Sequence, residues 1–145
     1  MKVAITNFFA VLALLLFCAA CDTTEEVLPE AVPVDKSVVF EIFGNQDFSY
    51  SRYGDEQVLV ELLIRRVNKL TKEETVVFDT SFTSALKDIP VRGKKLQLTK
   101  TVPAVQDKKE NIFIGSGYTV MQSSFGKSET LPSDLQEKKV QLIIY

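Results

Sequence analysis

The sequence predicts an all-β chain: a single antiparallel β-sandwich or small β-barrel, OB-type or up-and-down, of about seven strands. Apolar residues recur with a period of two from residue 37 onward, the spacing that places alternate side chains on one face of a strand. Turn-forming clusters interrupt those runs at roughly 8–15-residue intervals, as in sandwiches and small barrels. The 109 residues from Ser37 to Tyr145 are enough to enclose one core.

The elements follow in chain order. Val38, Phe40 and Ile42 alternate with Ser37, Val39, Glu41 and Phe43. "GNQD" (Gly44 to Asp47) and "YGDE" (Tyr53 to Glu56) bracket a short aromatic strand, Phe48 to Arg52. Val58, Val60, Leu62 and Ile64 form a purely apolar face, and Leu59, Glu61, Leu63 and Arg65 a mixed one, so this strand is long and largely buried. "NKLTKEE" (Asn68 to Glu74) has the polar character of a hairpin connection. Val76, Phe78 and Phe82 alternate with Asp79 and Ser81, and "VRGKK" (Val91 to Lys95) marks a glycine turn. Leu96, Leu98 and Val102 alternate with Lys95, Gln97 and Thr99; Ile112 to Met121 and Val140 to Tyr145 repeat the pattern. "SDLQ" (Ser133 to Gln136) has capping-box spacing and predicts one helical turn before the last strand.

Ahead of these strands lies a different kind of sequence. Lys2 gives a positive start, Phe8 to Phe17 is unbroken apolar, and Ala19-Ala20 precedes Cys21. A charged start, an apolar run and a small-residue exit mark a secretory signal peptide. "CAAC" (Cys18 to Cys21) resembles a bacterial lipobox, although Cys18 stands where that pattern usually has Leu. The resemblance implies that Cys21 is diacylated and begins the mature chain; Cys18 leaves with the signal, bulky Phe17 making it a poor acceptor. A cleaved secretion signal and an N-terminal membrane anchor are the alternatives. The expected divisions are therefore a signal peptide (1–20), a lipidated cysteine with an acidic tether (21–36) and a β-domain (37–145). No disulfide is expected, because the 125 residues from Cys21 onward contain no other cysteine.

The tether, Asp22 to Lys36, holds Pro29, Pro33 and five acids in fifteen residues and has no apolar period. Extended at about 3.1 Å per residue, it spans roughly 45 Å. Its start, "DTTEE", resembles the export signals of surface lipoproteins in the Bacteroidota, although a solvated acidic tether needs no such role. Localisation is expected at the outer membrane, held by lipid, on its periplasmic or surface face. Charge is uneven: Asp22 to Glu61 holds ten acids and two bases, Leu62 to Tyr145 nine acids and fourteen bases. The bases are scattered as turn pairs and strand-face lysines rather than interleaved with aromatics, which argues against nucleic acid as a partner.

The chain has no histidine, which removes Ser-His-Asp and Cys-His catalysis and the common zinc and haem ligand sets. "GSG" (Gly115 to Gly117) lacks the spacing of a nucleophile elbow and reads as a bulge or a close backbone approach. Asp47, Asp55, Glu56 and Glu61 are near in sequence, but they read as solvated acids. No catalytic residue, metal or cofactor is expected.

What remains is aromatic. "FGNQDFSYSRY" places Phe43, Phe48, Tyr50, Arg52 and Tyr53 around two turns, and aromatics with Arg are typical interface anchors. Strand alternation gives the competing reading that Phe48 and Tyr50 face the core. The long connection Ser81 to Gly93 adds Leu86, Ile89 and Pro90, as binding residues or as an apolar plug. A short lipid-anchored β-domain without catalytic groups resembles the potempins, small lipoprotein inhibitors of secreted peptidases. That likeness lies in architecture and size, and it implies a protein partner, a secreted peptidase. An assembly lipoprotein docking through a sheet edge and a carrier of an apolar ligand are the rival functions; the oligomeric state is open.

Overall fold

A computed structural model describes residues 32–145; the signal segment, Cys21 and most of the tether lie outside the described residues. Seven strands form two sheets: β1 (Val34–Gly44), β2 (Gln57–Asn68), β3 (Glu74–Ala85), β4 (Leu96–Val105), β5 (Glu110–Val120), β6 (Ser123–Leu131) and β7 (Glu137–Ile144). One sheet runs β4-β1-β7 and the other β3-β2-β5-β6. β1 and β7 are parallel and the other neighbours antiparallel. The expected sandwich is what forms, and the sheets do not close into a barrel.

The core lies between the two inner faces. Val58, Val60, Leu62 and Ile64 of β2 meet Val38, Phe40 and Ile42 of β1, with Ile112, Ile114 and Tyr118 of β5 and Val140, Leu142 and Ile144 of β7 in the same cluster. Apolar burial at about 25 cal/mol per Å² drives this closure. β1 is buried on both faces, because Val39, Glu41 and Phe43 on its outer side are covered as well. That accounts for its nearly continuous apolar run, "VVFEIF".

Four elements differ from the sequence expectation. Phe48–Arg52 is not a strand. Asp47 Oδ1 accepts from Ser49 N (2.9 Å), and Ser51 N and Gly54 N donate to Phe48 O (3.0 Å) and Ser51 O (2.9 Å), so the segment coils into successive turns. β6 is the strand that periodicity did not reveal: of its nine residues only Leu131 is buried. The β5–β6 hairpin also turns on Met121 and Gln122, both at positive φ (47° and 65°). Tight hairpins of this kind usually carry Asn-Gly, so the usual sequence mark of the turn is missing. "SDLQ" makes a turn, Leu135 N to Pro132 O (3.2 Å), instead of a helix. At its other end β1 starts at Val34, three residues inside the stretch assigned to the tether.

Lys36 lies in that overlap. It points inward from β1 and is 2% exposed. Its ammonium donates to the carbonyls of Pro132 (3.2 Å), Ser133 (2.9 Å) and Leu135 (3.0 Å) and pairs with Asp107 Oδ1 (2.7 Å). One side chain thus ties β1 to the β6–β7 and β4–β5 connections.

Candidate functional site

The two segments that stand out in the sequence meet at one end of the sandwich. The β1–β2 loop (45–56), with Gly44 at the end of β1, and the β3–β4 connection (86–95) are joined by backbone bonds: Gly44 N to Pro90 O (2.8 Å), Lys87 N to Gly54 O (2.9 Å) and Leu86 N to Glu56 O (2.9 Å). Gly44 also forms a parallel bridge with Val91. The connection itself is built from two 3-10 turns, Leu86–Asp88 and Arg92–Lys94. An ion pair between Lys87 Nζ and Asp55 Oδ1 (2.6 Å) links the same two segments on the surface.

Glycine is required here by contact. A Cβ on Gly44 would lie 2.8 Å from Gln46 O and 3.0 Å from the Phe48 ring, and one on Gly54 2.9 Å from Phe48 O. Phe48 is thereby folded beneath its own loop.

The eight residues singled out from sequence divide by burial. Phe43, Phe48, Leu86 and Ile89 are buried; the last three belong to the core cluster, and Phe43 lies on the outer face of β1 beneath the Arg92 guanidinium (5.3 Å to the ring centroid). These four are footing and present little surface to a partner: Leu86 and Ile89 form the apolar plug, and Phe48 faces the core as the alternation reading has it, whereas Tyr50, which that reading also turns inward, is exposed. Pro90 is half-buried and contributes its carbonyl to Gly44. Tyr50, Arg52 and Tyr53 form the crest. Tyr50 is 95% exposed, and the Arg52 guanidinium sits 4.5 Å from the Tyr53 ring centroid. Cys21 lies outside the described residues.

The acids of this region are held by neighbours. Lys87 keeps the Asp55 carboxyl below its usual range, and the Ser49 hydroxyl and N–H do the same for Asp47. Glu61 is on β2, on the outer face of the four-stranded sheet opposite Ser81 and Gly117. Among the described residues no three Asp, Glu, Cys or His side chains gather as a metal site would need. The GSG segment holds an unbroken ladder on both sides, so it is no bulge; at Gly117 the approach is close, a Cβ falling 2.9 Å from Phe125 O.

Sequence reasoning passed over Glu41. On the outer face of β1, 3% exposed, it pairs with Lys95 Nζ (2.7 Å) and accepts from Gln97 Nε2 (3.1 Å) and Gln141 Nε2 (3.0 Å). The Lys95 contact, followed by the Gln141 bond, holds its pKa down from 4.5 to about 2. This carboxylate staples β4, β1 and β7 together.

No family model matches the chain, and neither a curated protein nor a solved structure is matched by it.

Proposed function

We propose that this chain is a lipid-anchored, non-enzymatic binding module that engages a protein through the paired loops, and that its partner is a secreted peptidase which it inhibits. The observation supporting this reading is the mutual fixing of residues 44–56 and 86–95, by three backbone bonds across the segments, beneath an exposed Tyr50–Arg52–Tyr53 crest. A loop held in place before binding loses little conformational freedom on binding, and rigid aromatics with Arg are the side chains that carry interface energy. The carrier reading has less support. The inner face of β2, which a ligand would need, is at most 1% exposed along Val58, Val60, Leu62 and Ile64 and is in contact with other core residues.

The test is capture from envelope and culture supernatant with the soluble chain from residue 22, which lacks Cys21, beside a Tyr50→Ala/Arg52→Ala/Tyr53→Ala variant. Stoichiometric loss of a captured peptidase's activity with the parent, and at least tenfold weaker binding by the variant, is the expected result. Capture that is equal for both chains removes the loop platform. Capture of non-peptidase proteins alone removes the inhibitor.

A further inference from the structure

The end of the sandwich opposite the paired loops carries a different surface. Val34 pairs with Val105 and Asn68 with Glu110, which brings the β4–β5 turn (106–109) and the β2–β3 turn (69–73) to the end where β1 begins. The chain toward Cys21 leaves from this same end. The two turns are joined by Lys69 N to Lys109 O (2.8 Å) and by Lys69 Nζ to Asp107 O. Asn68 closes the first of them: its Oδ1 accepts from Leu70 N (2.9 Å) and Thr71 N (3.0 Å), and its carbonyl from Lys72 N (3.0 Å). Leu70 is thereby held out at the tip, 90% exposed, and Val32, just ahead of β1, is 80% exposed. These are the two most exposed large aliphatic side chains among the described residues, whereas the loops at the other end expose Tyr50 and Tyr53.

The charge of the two turns is basic. The ammonium groups of Lys69 and Lys72 donate to backbone carbonyls, those of Asp107 and Lys69, so no carboxylate cancels them there. Lys108 is exposed in the neighbouring turn. Asp107 is taken by the buried Lys36 (2.7 Å), which leaves Glu73 as the one acid of these turns to set against the lysines. Glu74 and Glu110, which flank them, pair with Arg65 and Arg66. The other acids of this end, Asp35, Asp134 and Glu137, belong to β1, the β6–β7 connection and β7.

We propose that these two turns rest on an anionic lipid bilayer, with Leu70 entering the headgroup region and Lys69, Lys72 and Lys108 facing the lipid phosphates. A lone exposed leucine is ordinary. What selects this partner is an aliphatic tip and an uncancelled basic charge together, at the end from which the chain runs toward Cys21. Basic side chains beside apolar ones are what an anionic membrane surface attracts. The proposal rests on the lipid-anchored reading in one respect: an anchor at Cys21 keeps this end within the tether's reach of a bilayer. Attachment is then the anchor's work, and the contact sets orientation, turning the Tyr50–Arg52–Tyr53 crest away from the lipid.

The chain has no tryptophan, so one introduced as Leu70→Trp reports alone. The full chain purified from membranes is floated with vesicles of brominated phosphatidylcholine, with or without phosphatidylglycerol. Bromine is expected to quench Leu70→Trp only where phosphatidylglycerol is present, and the quenching is expected to disappear in high salt, which screens surface charge. Tyr50→Trp, at the opposite end, stays unquenched throughout. A lysine near an anionic surface is worth about fivefold in binding, so Lys72→Gln with Lys108→Gln lowers the Leu70→Trp contact about 25-fold at an unchanged melting temperature. Flotation with both vesicles but no quenching at residue 70 keeps the anchor and overturns the contact. Flotation with neither overturns both. Quenching at residue 70 that needs no phosphatidylglycerol, or that residue 50 matches, also overturns the proposal.

Discussion

Replacing Lys36 with Met keeps the aliphatic stem in the core and removes only the ammonium. Three carbonyls and the Asp107 carboxylate then lose their shared donor. Hydrogen bonds to charged groups contribute about 1.5–3 kcal/mol each, and removing one member of a buried pair costs about 3–5 kcal/mol. The contributions do not simply add. The Asp107 side chain keeps 29% of its surface in water, and the carbonyls sit in a surface turn that water reaches once the ammonium is gone. The lower part of the range applies, about 3 kcal/mol. For a domain of this size that corresponds to roughly 12 °C in Tm. The control is Lys87→Met, whose pair with Asp55 has side chains 48% and 89% exposed; exposed pairs are worth about 0–1 kcal/mol. Urea unfolding and thermal melts followed by far-UV circular dichroism measure both. A loss below about 1 kcal/mol for Lys36→Met, or equal losses for the two variants, would refute the view that the Lys36 contacts hold this end of the sandwich.

Other outcomes follow from single contacts. Glu41, held from 4.5 down to about 2, contributes stability that is complete above pH 4.5 and disappears as pH falls toward 2; Glu41→Gln should destabilise at neutral pH and flatten the fall of Tm across that window. Ser116 has a buried hydroxyl that finds no partner among the described residues, so Ser116→Ala should be neutral or stabilise by up to about 1 kcal/mol in urea titrations. Met121→Asn with Gln122→Gly relieves two non-glycine residues at positive φ and should raise stability by about 1 kcal/mol; a lower urea midpoint would count against a strained hairpin. Gly117→Ala should destabilise by over 1 kcal/mol because its Cβ meets Phe125 O at 2.9 Å, whereas Gly115→Ala, 3.4 Å from Leu63 Cβ, should be tolerated.

Strands with one buried face announced themselves. β2, β4, β5 and β7 alternate because burial imposes alternation, and β1 showed as an apolar run because both its faces are covered. β6 could not be read, since an exposed edge strand carries little apolar pattern and its hairpin lacks the residues such turns favour. The false strand at Phe48–Arg52 has aromatic composition but no partner, and its backbone bonds are closed locally. Seven strands result in both views through that exchange. At the site, sequence picked the two loops but not their meeting, because the Gly44–Pro90 and Lys87–Gly54 bonds join segments remote in the chain. Lys36 and Glu41 gave no signal: a lysine in a proline-bearing acidic stretch and a glutamate in a strand look like surface residues until their partners are known.

The position of β1 has a mechanical consequence. Tension on the N-terminal segment enters the fold at Val34, while the paired loops begin where the same strand ends, at Gly44. A pull applied between the N-terminal segment and the loops therefore runs along β1, parallel to its axis. β1 is the central strand, bonded to β4 on one side and β7 on the other, so such a pull loads both ladders together in shear rather than opening them one bond at a time. Lys36, two residues inside the point of entry, is the first side chain to resist.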